Sequence, residues 1–500
     1  CFELYSSGQL RMYINNFGYN SPSTSDIDDG EWHHVAGVRD KGNDIIMYVD
    51  GEEVYSLGYE NEGSFTVSHN TRIGAIPYSN NHYYFDGDID EVRIWNTART
   101  QSELIDHMHN NLIGNETGLV AYYKMDEGSG INLNDNTIGG TLDGTIHNAT
   151  WTSPGAPPDI IWNGSTSTAW NTAGNWNLDA VPDIRYNVII NHESNDPVIN
   201  SGTGATFGNL TLNSGAGLSI NSGGSMITYG NITNNGTINI QRTISEDVWH
   251  LISMPVTSGT AAIFEGDYLQ YWTESTGLWT DITETGYTLS VGQGYGLWGI
   301  AEGTHTYTFI GTPNTGDISK AITYTEVPST AYDGANLLGN PYPSSIDWRD
   351  LDETYGAVYY WNGSAYVSWN NFSGSGSQYI PPMQGFFIVT NASGTFTATN
   401  SNRTHNGATS FYKETPTLSQ GLALYADNGN YQDALWLLIR EDQTPDFNLQ
   451  HDAWKFKSTT QGLSQLWSTC PDGNLSIDVR PYQETIPLGF ANDQAGIYSI

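Results

Sequence analysis

Several groups of residues in this chain have the types and spacing to do chemistry. Residues 291–298 read VGQGYGLW, with glycines at 292, 294 and 296, and a glycine-rich turn can let backbone amides wrap a phosphate. His33 and His34 are adjacent imidazoles, a zinc-ligand type. Tyr78, Asn80, Asn81, His82, Tyr83 and Tyr84 crowd aromatic faces and amides into one short stretch. Rings stack on sugar faces and amides bond hydroxyls, so this stretch is read as a loop that contacts a glycan or a peptide. Asp90, Asp126, Glu127 and Asp135 fall in the segments DIDE and MDEGSG…D. Clustered hard oxygens of this kind suit calcium as a structural ion, while Asp and Gly are also what turns demand.

The elements that must carry these residues narrow the chemistry. A phosphate loop needs a helix N-terminus behind its glycines, but residues 297–300, LWGI, read as a strand and no lysine follows. Residues 383–387, MQGFF, repeat the Gln-Gly-aromatic core with Met383 and Phe387 in place of Gly292 and Gly296. The stretch is therefore expected to be a repeated structural corner. Neighbouring residues on a strand point to opposite faces, so His33 and His34 cannot readily share one ion and are expected to be structural. No Ser/His/Asp, zinc or paired-Glu constellation stands out, and the expectation is a chain without catalytic activity of its own.

Composition bounds the rest. Five hundred residues exceed one hydrophobic core. Aromatics reach 12% while hydrophobic residues total only 38%, which suits short strands joined by polar turns. Only residues 101–109 show a helical period. A formal charge of −37 with 17 Lys and Arg gives no cationic patch for nucleic acid or anionic lipid. No apolar run has the ~20 residues of a membrane helix. Cys1 and Cys470 are too few for a disulfide framework or a thiolate metal site.

The fold class expected is all-β. Residues 1–155 alternate strand-like runs and turn signals, including Asp50-Gly51 between two apolar runs, a strong hairpin signal. The segments DGEWHHVAGVRD, IIMYVDGEEV, RIGAIPYSNNHYYFDGDIDEVRIWNTARTQSEL and TGLVAYYKMDEGSG resemble, in order, the laminin-G-like, concanavalin A-like jelly roll. That resemblance implies a sandwich fold that hosts lectins, adhesion modules and glycosidases alike. The related family 16 glycoside hydrolases carry E-x-D-x-E or E-x-D-x-x-E; here residues 87–93 read GDIDEVR, with Asp88 for the first Glu and Val92 or Arg93 at the last. The carboxylate pair for retaining hydrolysis is missing. In the pentraxin branch, acidic calcium ligands follow the preceding Ile-Gly strand, where this chain has AIPY and no carboxylate.

After the proline-rich break at 154–158, residues 156–244 place short apolar pairs (Leu210/Leu212, Leu218/Ile220, Ile238/Ile240) among Asn, Gly and Ser. Such rungs predict a small stacked β-solenoid. Residues 245–330 and 331–413 form a diverged tandem repeat: Gln293 and Gln384 are 91 residues apart, as are Gly303 and Gly394. Residues 414–500 read as a further β-sandwich-type domain. The chain reads as cut within a domain at either end.

The order of modules across 160–500 resembles the stalk of large bacterial surface proteins exported by the type IX secretion system. The expected function is an extracellular or cell-surface binding or adhesion protein. Its jelly roll would meet a glycan or a surface protein, and the other β modules would act as spacer. The alternative is the accessory region of a secreted polysaccharide hydrolase whose catalytic domain lies outside these residues.

Overall fold

The structure, a computed structural model, describes residues 2–4, 9–14, 17–20, 27–28, 32–40, 44–58, 71–78, 81–108, 112–152, 159–245, 247–299, 303–326, 333–409 and 421–494. Strands dominate, and the one α-helix among these residues is Gln101–Met108. Among the described residues no helix is long and apolar enough to cross a membrane.

In the N-terminal region, Val35–Arg39, Asp44–Val49 and Glu52–Gly58 form an antiparallel meander. Alternation buries Val38, Ile45 and Met47. Asp50 and Gly51 take φ of 49° and 81°, the pair of positive values that matches the twist of the flanking strands. The helix seats on this turn. Thr100 and Glu103 bond each other's backbone N–H groups at its start, a capping box. Gln101 then donates to Gly51 O at 2.8 Å. A Cβ on Gly51 would lie 2.6 Å from Ile105 Cγ1, so glycine is required by space as well as by φ.

Residues 159–244 wind into a parallel solenoid. Asp159–Trp162, Asn187–Ile190, Leu210–Leu212 and Ile232–Asn234 stack as one face. Val198–Ile199, Gly217–Ile220 and Thr237–Ile244 form a second, and Gly204–Phe207 with Ser225–Thr228 a third. Each rung sends alternate apolar residues inward; Val188, Leu210, Leu212, Leu218, Ile238 and Ile240 are all fully buried. The asparagines form a ladder. Asn209 donates to Asn187 Oδ1 at 2.9 Å across 22 residues, and Asn209 Oδ1 accepts from Asn231 N at 2.7 Å, again across 22. The first coil is filled by Trp162, Trp170 and Trp176, whose rings meet edge to face at 4.9 and 4.8 Å.

The two repeat copies share one topology. In the first, Trp249–Ile252, Tyr295–Trp298, Tyr268–Thr273 and Leu278–Ile282 lie in that order across a sheet. In the second, Ala335–Gly339, Gly385–Val389, Val358–Trp361 and Tyr366–Trp369 do the same. An antiparallel ribbon accompanies each, the first as the edge of a four-stranded sheet and the second on its own. His305–Ile310 pairs with Thr237–Ile244, and Gly394–Ala398 pairs with Ile318–Ile322. The strand Thr237–Ile244 thus belongs to the last solenoid coil and to the first copy at once, and one apolar core runs from Ile160 through Ile240 to Phe309.

The C-terminal strands form a six-stranded mixed sheet. The second copy supplies the layer against it. Trp436, Leu438, Phe456, Ile477 and Val479 pack on Leu337, Tyr359, Phe387 and Val389, with Tyr359 and Phe456 stacked at 4.5 Å. Cys470 is buried and unbridged. Two ion pairs sit inside this sheet, Lys455–Asp433 and Arg480–Asp478.

Candidate functional site

The aromatic and amide-rich stretch is a β-hairpin rather than a loop. Ala75–Tyr78 pairs with Asn81–Tyr84, with Ala75 opposite Tyr84, Ile76 opposite Tyr83, Pro77 opposite His82 and Tyr78 opposite Asn81. Asn80 lies outside the described residues. The reason is local: three of the four residues from His82 to Phe85 are aromatic and strand-favouring. Phe85 N donates to Gly74 O at 2.9 Å and closes the base. There the rings are in water: Tyr84 is 69% and Phe85 43% exposed. Tyr84 was among the expected contact residues and Phe85 was not, although a run of aromatics at a hairpin base is a sequence-visible signal.

The four carboxylates expected to hold calcium are each engaged otherwise or stand apart. Asp135 is buried and accepts four hydrogen bonds, from Tyr122 N, Thr137 N, Thr137 Oγ1 and Leu142 N. Burial pushes its carboxyl up, but the bonds from Thr137, Tyr122 and Leu142 outweigh burial and hold it below the ordinary range. Asp90 Oδ1 takes Glu91 N at 2.9 Å, Glu127 Oε1 takes Asn134 N at 2.8 Å, and Asp126 is exposed. Among the described residues no three His, Cys, Asp or Glu converge as a metal site. Backbone amides bond oxygens of Asp90, Glu127 and Asp135, which gives these three carboxylates a structural role.

The carboxylates of residues 88–91 have structural partners as well. Thr152 Oγ1 donates to Asp88 at 3.0 Å. Glu91 receives Tyr122 Oη at 2.8 Å and Arg93 Nη2 at 2.6 Å. Burial, then the Glu91 carboxylate, raises the Tyr122 phenol well above its ordinary value. His33 Nδ1 lies 2.7 Å from Asp50 Oδ2, and His34 N donates to Asp50 Oδ1 at 2.9 Å. This histidine pair braces the Asp50–Gly51 turn.

The VGQGYG stretch forms the joint between the repeat copies. Gln293 Nε2 donates to Leu337 O of the second copy at 2.8 Å, and Gln384 Nε2 donates to Leu251 O of the first, also at 2.8 Å. Gly339 N reaches Gly292 O at 3.0 Å, and Ser253 N reaches Met383 O at 2.9 Å. The copies exchange the same bonds about a local pseudo-two-fold. A Cβ on Gly294 would lie 2.3 Å from Leu338 O, and one on Gly385 2.9 Å from Leu251 C. Glycine after each glutamine is what lets the facing strand approach.

With this geometry in hand, comparison with known proteins adds two matches. Residues 1–105 match the model of the concanavalin A-like lectin/glucanases superfamily. Residues 161–245 and 210–365 match a domain of unknown function (DUF8693), across the solenoid and into the repeat. No curated protein and no solved structure matches the chain. The concanavalin A-like match is the observation with functional content, since domains of this kind bind carbohydrate or protein.

Proposed function

We propose that this chain is a non-catalytic, extracellular or cell-surface binding protein. Its N-terminal jelly roll contacts a carbohydrate or protein ligand through the hairpin Ala75–Tyr78/Asn81–Tyr84, and residues 159–494 act as a stiff spacer. The observation that carries the reading is the concanavalin A-like match over residues 1–105, which includes the whole hairpin. Supporting it, Tyr84 and Phe85 present aromatic surface to solvent at the hairpin base, the kind of face that stacks on a sugar ring. The spacer role is supported by cores that run through the module junctions, from solenoid to first copy and from second copy to C-terminal sheet. The acidic surface, −37 in formal charge, suits a protein that stays in solution around its target and does not adsorb to nucleic acid.

The test is affinity electrophoresis of the full chain through gels containing one soluble polysaccharide each, beside the variant Tyr84→Ser/Phe85→Ser. Retardation of the wild type by at least one polysaccharide, relieved in the variant, is the expected result. Unretarded migration in every gel removes the carbohydrate form of the proposal.

A further inference from the structure

The pseudo-two-fold between the repeat copies is broken at one place, and the break leaves a cavity. On one side, Met383 packs with Ile244 and Ile252 in the core, and the space beside them is only about 10 Å³. On the other side the corresponding residues differ. Gly292 stands 91 residues before Met383, as Gln293 does before Gln384. In the ribbons, Ile244 is opposite His305 and Lys320 is opposite Phe396, again 91 residues on. The apolar pair Met383/Ile244 is thus replaced by Gly292/Lys320. The methionine side chain is gone, a charge stands where isoleucine was, and the space opens to about 250 Å³.

Lys320 is half-buried on a strand whose neighbouring same-face residue Ile322 and cross-strand partner Phe396 both pack in a core. Its Cβ lies 3.6 Å from the position a Gly292 Cβ would take. Its ammonium has no hydrogen bond or ion pair among the described residues. Its pKa is lowered by burial alone. Glu274, Asn336 and Trp272, which also line the cavity, are engaged elsewhere. Glu274 accepts from Thr323 Oγ1, Thr325 N, Thr325 Oγ1 and Gly334 N. Asn336 is bonded to Thr323 and Gly334, and Trp272 Nε1 donates to Ala335 O. One cation facing a polar, solvent-open cavity, with no acceptor of its own, asks for one negative charge. A phosphate would carry a second charge toward the Glu274 carboxylate. The volume falls below the ~300 Å³ of pockets that take drug-sized ligands.

We propose that this cavity binds a small monocarboxylate of monosaccharide size, with Lys320 as the ion-pairing donor and the Trp272 and Asn336 side chains as walls. The site is independent of the jelly roll. The experiment titrates the full chain with glucuronate, and with glucose as the neutral counterpart, by calorimetry. Lys320→Met removes the cation. Gly292→Met restores the apolar filling of the other side, at a backbone φ of 73° that Met383 matches with 60°. Glucuronate binding to the wild type, weakened at least about tenfold in each variant and absent for glucose, is expected from the loss of one charged hydrogen bond. The assignment is overturned if the wild type ignores glucuronate, if glucose binds as well, or if both variants keep wild-type affinity. It is equally overturned if Tyr84→Ser/Phe85→Ser abolishes glucuronate binding, which would place the ligand on the jelly roll. Circular dichroism checks each variant's fold, and either variant alone decides the matter if the other fails to fold.

Discussion

The reciprocal glutamines allow a test in which burial sets the size of the effect and the topology sets where it appears. Gln384 is fully buried, and its amide donates to Leu251 O of the first copy and to Gly385 O. Gln293 makes the matching bonds to Leu337 O and Gly294 O, but it is only half-buried, beside the open cavity. Gln384→Ala leaves two interior carbonyls short of a donor, at about 1–3 kcal/mol each. It also removes one buried methylene at about 0.8 kcal/mol, for a total of ~5 kcal/mol. In Gln293→Ala water can reach the freed carbonyls, so about 1 kcal/mol is expected. Because a chain of several modules need not unfold in one step, the assay is hydrogen exchange by mass spectrometry with local peptides. Gln384→Ala should speed exchange in the first copy's strand Trp249–Ile252, and Gln293→Ala, more weakly, in the second copy's strand Ala335–Gly339. Equal effects of the two substitutions, or faster exchange only in the copy that carries the substitution, would refute the account of an exchanged joint.

Three further outcomes follow from buried groups. His405 bridges Ser225 and Thr206 of the solenoid at 2.8 Å each, and burial, then Arg403, lowers its pKa to about 4 from 6.5. The folded value is depressed, so its contribution is present above pH 6.5 and is lost as pH falls toward 4, by about 3 kcal/mol; denaturant titrations against pH on His405→Gln should lose that acid-side slope. Asp452 is pushed up to about 7 from 3.8 by burial, despite bonds from Val479 N and Asn448 N. Its folded value is raised, so the fold is favoured below pH 3.8 and loses about 4 kcal/mol as pH rises through 7; Asp452→Asn should be the more stable protein at pH 8 in the same titrations. Lys455→Met leaves Asp433 charged and buried, at about 3–5 kcal/mol, whereas Lys455→Met/Asp433→Leu together should recover most of that loss, read by thermal unfolding.

Legibility in the sequence followed the range of the interaction. The Asp50–Gly51 hairpin, the alternating pairs of the solenoid and the 91-residue repeat are local patterns, and each has its strand or turn in the structure. The asparagines were harder. As N-x-S/T tripeptides Asn209 and Asn231 carry no special signal, yet 22-residue spacing stacks them into a ladder. The carboxylates were ambiguous because residue type cannot distinguish a metal ligand from a bracket for backbone amides; Asp135 accepts from three such amides. The Tyr78–Tyr83 stretch read as a loop because four-residue strands are too short to show a period. The cavity at Lys320 was invisible for a different reason. It is lined by Trp272 and Gln293 of the first copy with Leu337 and Leu338 of the second, and that contact becomes visible once the two copies are packed.

The most direct test of the central claim is a glycan array, with a parallel panel of surface proteins, probed with the full chain and with Tyr78→Ala/His82→Ala/Tyr83→Ala. The account predicts selective binding by the wild type that the hairpin variant loses, while the variant keeps wild-type hydrogen exchange across residues 159–494. Binding that survives in the hairpin variant, or a wild type that binds nothing on either panel, would contradict it.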